Sequence, residues 1–294
     1  MTLNNKWIDT HVHLFPAPAE GTPQMPHHGN QHNTPDVYLN ALGDAAPEGI
    51  VVVHFSKAPD SVHVIGALDA LQGRRPAAGV IKADVADPRT FEWIQRPDVH
   101  AVRVYAKESA PDFSDTAAWN RLWNLVRSQK KHVLIFGGAP FLRPAIAQIP
   151  QDIPLVIDHL GVPNGDAGAS DAEWNALLAE MKTRNQTAAP VYFKGPGYRT
   201  SISVEKVQPF VDAIVKTLGA DRLMLGASDA PFGGPATEAD SRYNGKPLGL
   251  FADLHWMRNF TRTLAMHAAH NLGLDEEKTI AALLHDNAAT LYGF

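Results

Sequence analysis

The sequence predicts one domain, residues 1–294, folded as a (β/α)₈ barrel of the TIM type. Three observations predict it. Short β-like runs alternate with helix-compatible segments about eight times without a break, the order of a parallel α/β protein. The 294 residues accommodate such a barrel, which takes about 250. The turn after the first strand reads Asp9-Thr10-His11-Val12-His13, where a doubly wound sheet carries a glycine-rich phosphate turn.

The expected strands, in order, are Trp7–Leu14, Ile50–Phe55, Ala77–Asp84, Val99–Ala106, His132–Gly137, Pro154–Gly161, Pro190–Gly195 and Arg222–Asp229. They are rich in Val, Ile and Leu, and many are bounded by Pro or Gly. Apolar-periodic stretches between them, such as Ala117–Lys130, Asp171–Arg184, Val204–Leu218 and Asp253–Asn271, read as helices. Asp115 and Asp171 stand where helix N-caps belong. Two long insertions, Phe15–Pro35 after the first strand and Pro231–Leu250 after the last, emerge at the C-terminal mouth of such a barrel, where loops cover substrates.

Composition narrows the function. The chain is 45% hydrophobic and 19% charged, as ordinary globular proteins are. With no cysteine, disulfides, thiolate metal sites and a cysteine nucleophile are excluded, and a reducing compartment fits. A formal charge of −5 without a basic stripe speaks against nucleic acid. Met1 to Lys6 is short and polar and lacks the apolar stretch of about 7–15 residues that a signal peptide needs. No run approaches the ~18 apolar residues of a membrane span. A cytoplasmic protein with no membrane partner is the expectation.

Alternation along the first strand puts Asp9, His11 and His13 on one face and Ile8, Thr10 and Val12 on the other. Two imidazoles spaced i, i+2 at a strand end reach one metal ion or one substrate carbonyl together. On the sixth strand the same rule groups His159 with Leu155 and Ile157 as an inward row, and turns Asp158 away as a structural residue. On the eighth, Asp229 follows Leu223, Leu225 and Ala227 to the mouth, where a carboxylate orients or deprotonates water. Arg103 shares a face with Tyr105 on the fourth strand. A buried arginine needs an anion, either a substrate carboxylate or a neighbour such as Asp84. His54 and Ser56 share a face at the end of the second strand and are candidate donors to substrate. His27, His28 and His32 lie in the first insertion and read as loop residues.

Four motifs together resemble the amidohydrolase-related family, and within it the branch of the 2-pyrone-4,6-dicarboxylate lactonases. They are Asp9-x-His11-x-His13, Asp158-His159-x-Gly161, Gly226-x-Ser228-Asp229-x-Pro231 and the closing Asn287-Ala288-Ala289-x-Leu291-Tyr292-Gly293-Phe294. The resemblance implies a distorted barrel with His11, His13, His159 and Asp229 as the active centre. It also implies a carboxylate-binding role for Arg199, in Lys194-Gly195-Pro196-Gly197-Tyr198-Arg199. The branch usually has a tryptophan after the last aspartate and a histidine after its proline. Here Ala230 and Phe232 stand there, and Ala106-Lys107-Glu108-Ser109 replaces an arginine-rich segment, which points to a different substrate.

On this reading the protein is a hydrolase that opens a carboxylate-bearing lactone. Asp229 activates water, His11, His13 and His159 polarise the carbonyl, and Arg103 and Arg199 hold the carboxylate, with Tyr105, His54 and Ser56 beside them. From Val133 to Gly138 the fifth strand supplies no histidine, and the end of the fourth offers only Lys107, so a two-metal centre is not expected. The balance favours no cofactor. The alternative is a single divalent ion such as zinc on His11, His13, His159 and Asp229. A metal-dependent decarboxylase of an aromatic or dienoic acid, and a metal-dependent phosphoesterase or nuclease, are the rival activities.

Overall fold

Eight strands pair in chain order, each parallel to its neighbour. They are β1 (Ile8–Val12), β2 (Gly49–Val53), β3 (Ala77–Lys82), β4 (Val99–Ala106), β5 (His132–Gly137), β6 (Leu155–Ile157), β7 (Val191–Lys194) and β8 (Leu223–Met224). The computed structural model describes residues 6–16, 33–106, 111–230 and 250–294. The predicted (β/α)₈ barrel is therefore present. His27, His28, His32, Lys107 and Phe232, with most of both insertions, lie outside the described residues.

The helices α1 (Pro35–Leu42), α2 (Val62–Leu71), α3 (Pro88–Trp93), α4 (Thr116–Ser128), α5 (Ala139–Ile146), α6 (Ala172–Thr187), α7 (Val204–Leu218) and α8 (Leu250–Leu272) follow the strands. Asp115 and Asp171 cap α4 and α6 as expected, accepting from the Ala118 and Trp174 amides at 3.0 Å each. No helix among the described residues is long and apolar enough to cross a membrane.

Two buried clusters define what is inside the barrel. One takes residues from every strand: Ile8, Val51, Val53, Ala78, Val80, Ala101, Leu134, Val156, Tyr192 and Met224, closed below by Ala288 and Tyr292. This is the barrel interior. The other joins the alternate strand residues, such as Ile50, Val52, Val102, Leu155 and Ile157, to the helices. Counting by twos from the inner set carries the interior upward through Arg103, Tyr105, Phe136, Asp158 and Lys194. Strand alternation thus delivers these five side chains to the C-terminal end, where barrel enzymes place their chemistry.

The seam between the last and first strands is closed unconventionally. β8 has only two residues, and the extended chain after it completes the circle. The Thr10 amide donates to Gly226 O at 2.8 Å, the Asp229 amide to His11 O at 2.7 Å and the His13 amide to Ala230 O at 2.8 Å. On its other side, the Leu225 amide donates to Leu283 O at 2.7 Å, inside a π-helical turn (Ala282–Asp286). Asn287, at the start of α10 (Asn287–Tyr292) after the short α9 (Glu276–Ala281), donates from Nδ2 to Leu223 O at 2.7 Å. Gly226 is squeezed between the two sides: a Cβ there would sit 2.6 Å from both Ile8 O and Leu284 O.

Candidate active site

The interior phase corrects two expectations. On β6 it is Val156 and Asp158 that face inward, while Leu155 and Ile157 pack against the helices. Asp158 is therefore central rather than peripheral. His159 still enters the site, by a different route. β6 stops at Ile157, and His159 (φ 50, ψ 40) and Leu160 (φ 58, ψ 18) turn left-handed, a conformation that costs L-residues roughly 1–2 kcal/mol each. Asp229 is left-handed too, with φ 48. Backbone strain of this kind concentrates at functional sites.

On β1 the ladder register shifts between Asp9 and Val12. Ile8 belongs to the interior, yet Val12 belongs to the helix-facing layer. The slip separates Asp9 from the histidines it was expected to join. Asp9 turns toward α1, where it accepts from Tyr38 Oη at 2.5 Å and from the Ser228 hydroxyl. It also accepts from the amides of Ser228 (2.9 Å) and His11 (3.1 Å). Burial lifts its carboxyl to about 6 against the pull of these donors. Asp9 is a clamp between β1, α1 and the segment carrying Asp229.

His11, His13, His159 and Asp229 do come together, all buried. His11 Nε2 and His13 Nε2 are 3.3 Å apart, and Asp229 Oδ1 lies 3.4 and 3.3 Å from them. The far nitrogens fix the tautomers. His13 Nδ1 is 2.8 Å from Val53 O, which can only accept, so Nδ1 carries the proton. His11 Nδ1 is 3.1 Å from Asp158 Oδ1. Burial pushes the Asp158 carboxyl up, but His11, His159, Lys194 and Arg103 outweigh it and hold it well below the usual range. The carboxylate is ionised, and His11 Nδ1 also carries its proton. Burial holds both imidazoles neutral, against the pull of Asp158 on His11 and of Asp229 on His13. Two Nε2 lone pairs and a carboxylate oxygen therefore face one another at 3.3–3.4 Å. Among the described residues Asp229 Oδ1 has no hydrogen-bond partner, and a buried acceptor of that kind calls for a cation or a proton beside it.

Asp158 is the anion of the interior. Its Oδ2 accepts from Arg103 Nη2, and Lys194 Nζ lies 3.4 Å from its Oδ1. The counter-ion of Arg103 is thus Asp158 and not Asp84, which pairs with Lys82 at 2.7 Å. Arg103 Nη1 donates to His54 O at 2.8 Å, and Tyr105 Oη donates to the same oxygen at 2.7 Å. His54 is buried with Nδ1 2.7 Å from Tyr105 Oη. Ser56 is exposed past the end of β2, so it does not share the buried face expected with His54.

On the far side, Tyr198 Oη and Arg199 Nη2 (3.0 Å) donate to Asp229 Oδ2. The Arg199 side chain stays 29% exposed, and its guanidinium lies 5.7 Å from the Phe136 ring centre. Burial would raise the Asp229 carboxyl; Arg199, His11, His13 and His159 together hold it well below the usual carboxylate range. Sequence reasoning missed Asp158, Lys194, Tyr198 and Tyr38. Alternation groups the first two with Val156 and Tyr192, but only the structure shows that this face is the interior.

The chain matches the amidohydrolase family over residues 8–294. It belongs to that family. No curated protein matches it in sequence, whereas solved structures share its fold. Two are assigned as 2-pyrone-4,6-dicarboxylic acid hydrolases. The Pseudomonas putida protein has a TM-score of 0.71 at 23% identity, over 99% of this chain and 98% of its own. The Acinetobacter baumannii protein, with citric acid bound, has a TM-score of 0.70 at 17% identity, over 98% and 100%. A Listeria monocytogenes lactonase has a TM-score of 0.59 at 11% identity, over 99% and 95%. At these identities the likeness establishes the fold.

Amidohydrolases are typically metal-dependent, and the residues here fit one ion. His11, His159 and Asp229 each bring a ligand atom within 4.8 Å of the others. Among the described residues neither ring nitrogen of the buried His159 has a hydrogen-bond partner. Ligands of a tetrahedral zinc ion, with bonds of 2.0–2.1 Å, stand about 3.3 Å apart, as His11 Nε2, His13 Nε2 and Asp229 Oδ1 do; His13 lies outside the group that includes His159. The Asp158–His11 contact matches the carboxylate–histidine support common around such ions.

Proposed function

We propose that this amidohydrolase opens a carboxylate-bearing lactone by water attack, with one divalent ion on His11, His13, His159 and Asp229. One observation carries the reading: the two oxygens of Asp229 are divided. Oδ2 is held by Tyr198 and Arg199, while Oδ1 faces the His11 and His13 lone pairs. The ion, when bound, lowers the pKa of a coordinated water and polarises the carbonyl. This replaces the sequence-based preference for a site without metal, because His11, His159 and Asp229 each bring a ligand atom within 4.8 Å of the others.

Asp229 takes the proton as the water oxygen bonds to the lactone carbon. When the ring C–O bond breaks, it returns that proton to the leaving oxygen. Its low pKa makes it a weak base for ordinary water and an effective acid toward an alkoxide. His159, buried and, among the described residues, unbonded at both nitrogens, is positioned beside the same centre.

Charge favours an anionic substrate. Among the described residues, with the histidines neutral, the cations Arg103, Lys194 and Arg199 stand against Asp158 and Asp229. Arg103 is buried against Asp158, so the substrate carboxylate is assigned to Arg199, which holds Asp229 but stays 29% exposed. Purified protein, apo and zinc-loaded, assayed for acid release on a lactone panel tests this reading. Ring opening confined to carboxylate-bearing lactones and abolished by chelation is the expected result. Silence across the panel, with carbon dioxide released from an aromatic or dienoic acid, would replace it with the decarboxylase.

A further inference from the structure

Lys194 has no part in that chemistry, yet it is wholly buried at the top of the barrel interior. Among the described residues its ammonium makes two polar contacts, and both lead to His11. It donates to Thr10 O at 3.0 Å, the carbonyl just before His11 and within the β1 register slip. It also lies 3.4 Å from Asp158 Oδ1, the oxygen that accepts the His11 Nδ1 proton. Neutralising Asp158 does not by itself require Lys194, because Arg103 already holds the other oxygen. What Lys194 adds is place: it pins Oδ1 beneath the ring and the backbone beneath the same residue.

We infer that Lys194 is a positioning residue that fixes the ring and tautomer of His11 through Asp158 and the Thr10 carbonyl. The cost of burial agrees with this. Removal from water pulls the ammonium down to about 8, so carrying its charge here opposes folding, and an apolar side chain would serve the core better. Partners that set a ligand histidine's tautomer typically change metal affinity or activity about 10–100-fold when removed.

The test uses the full chain, metal-free and ¹⁵N-labelled at histidine, as wild type, Lys194→Met and Lys194→Arg. The His11 resonances are assigned by their loss in His11→Gln. Wild type is expected to show His11 protonated at Nδ1. Lys194→Met is expected to remain folded with an undiminished Tm and to shift His11 toward the Nε2-protonated or a mixed form. Lys194→Arg is expected to restore the Nδ1 proton. Turnover of the zinc-loaded Lys194→Met protein is expected to fall roughly 10–100-fold with KM little changed. The turnover arm rests on the lactonase reading, whereas the spectrum decides the role of Lys194 even if no lactone is opened. A Lys194→Met chain that unfolds, or that keeps the wild-type His11 spectrum, overturns the inference.

Discussion

Replacing Arg103 with methionine separates two roles for its charge. As a substrate anchor it would leave the fold intact when removed and raise KM. In the structure it instead pairs with Asp158, both buried, and bonds to His54 O at 2.8 Å. Removing one member of a buried pair costs about 3–5 kcal/mol, because the other charge is stranded. Here Lys194 remains 3.4 Å from Asp158, which puts the loss toward the lower end, about 3 kcal/mol. At a urea m-value of about 3 kcal/mol/M that is a midpoint lowered by about 1 M. Urea unfolding followed by circular dichroism at pH 7 measures it. Arg103→Met/Asp158→Asn should recover part of the loss, since the stranded charge is gone. An Arg103→Met protein with an unchanged midpoint and a tenfold higher KM for a carboxylate substrate would refute the reasoning and reinstate Arg103 as the anchor.

Asp229→Asn should lower kcat about 10²–10⁴-fold, the usual contribution of a general base, with KM nearly unchanged in steady-state assays; a parallel loss in binding would contradict the division of its two oxygens. Tyr38→Phe removes one donor from the buried Asp9 and should cost about 1.5–3 kcal/mol in urea unfolding. On the barrel floor, burial, aided by His100 and Lys194, holds His132 down to about 3. An imidazole depressed in the native state contributes stability above its unfolded pKa of 6.5 that is lost as pH falls toward 3. Between pH 7 and pH 5 that amounts to about 2 kcal/mol at 1.36 kcal/mol per unit. His132→Leu should lose correspondingly less over the same interval, and equal losses in the two proteins would count against the assignment.

Strand order, and the convergence of His11, His13, His159 and Asp229, were legible because strand punctuation and local motifs encode them. The phase of each strand was not, and the reason is physical. Both faces of a barrel strand are buried, so both are apolar, and alternation says which residues share a face without saying which face is inside. For β6 the wrong choice exchanged Asp158 with His159, and only the left-handed turn at His159 and Leu160 returns the histidine to the site. On β1 no local signal announces the slip that sends Asp9 to Tyr38. It is compelled by contacts with Ser228, 219 residues away. Lys194 was passed over because its partners, Thr10 O and Asp158, come from opposite parts of the chain.

The borrowed partners of the last strand tie the site to the far end of the chain. Leu223 O accepts from Asn287, 64 residues downstream, and the Leu225 amide donates to Leu283 O. These bonds add to the pairing of β8 with β7 and of the segment after it with β1. A chain cut before Leu283 would keep every strand and lose them, so the stretch that presents Asp229 is braced from a part of the sequence that carries no residue of the site.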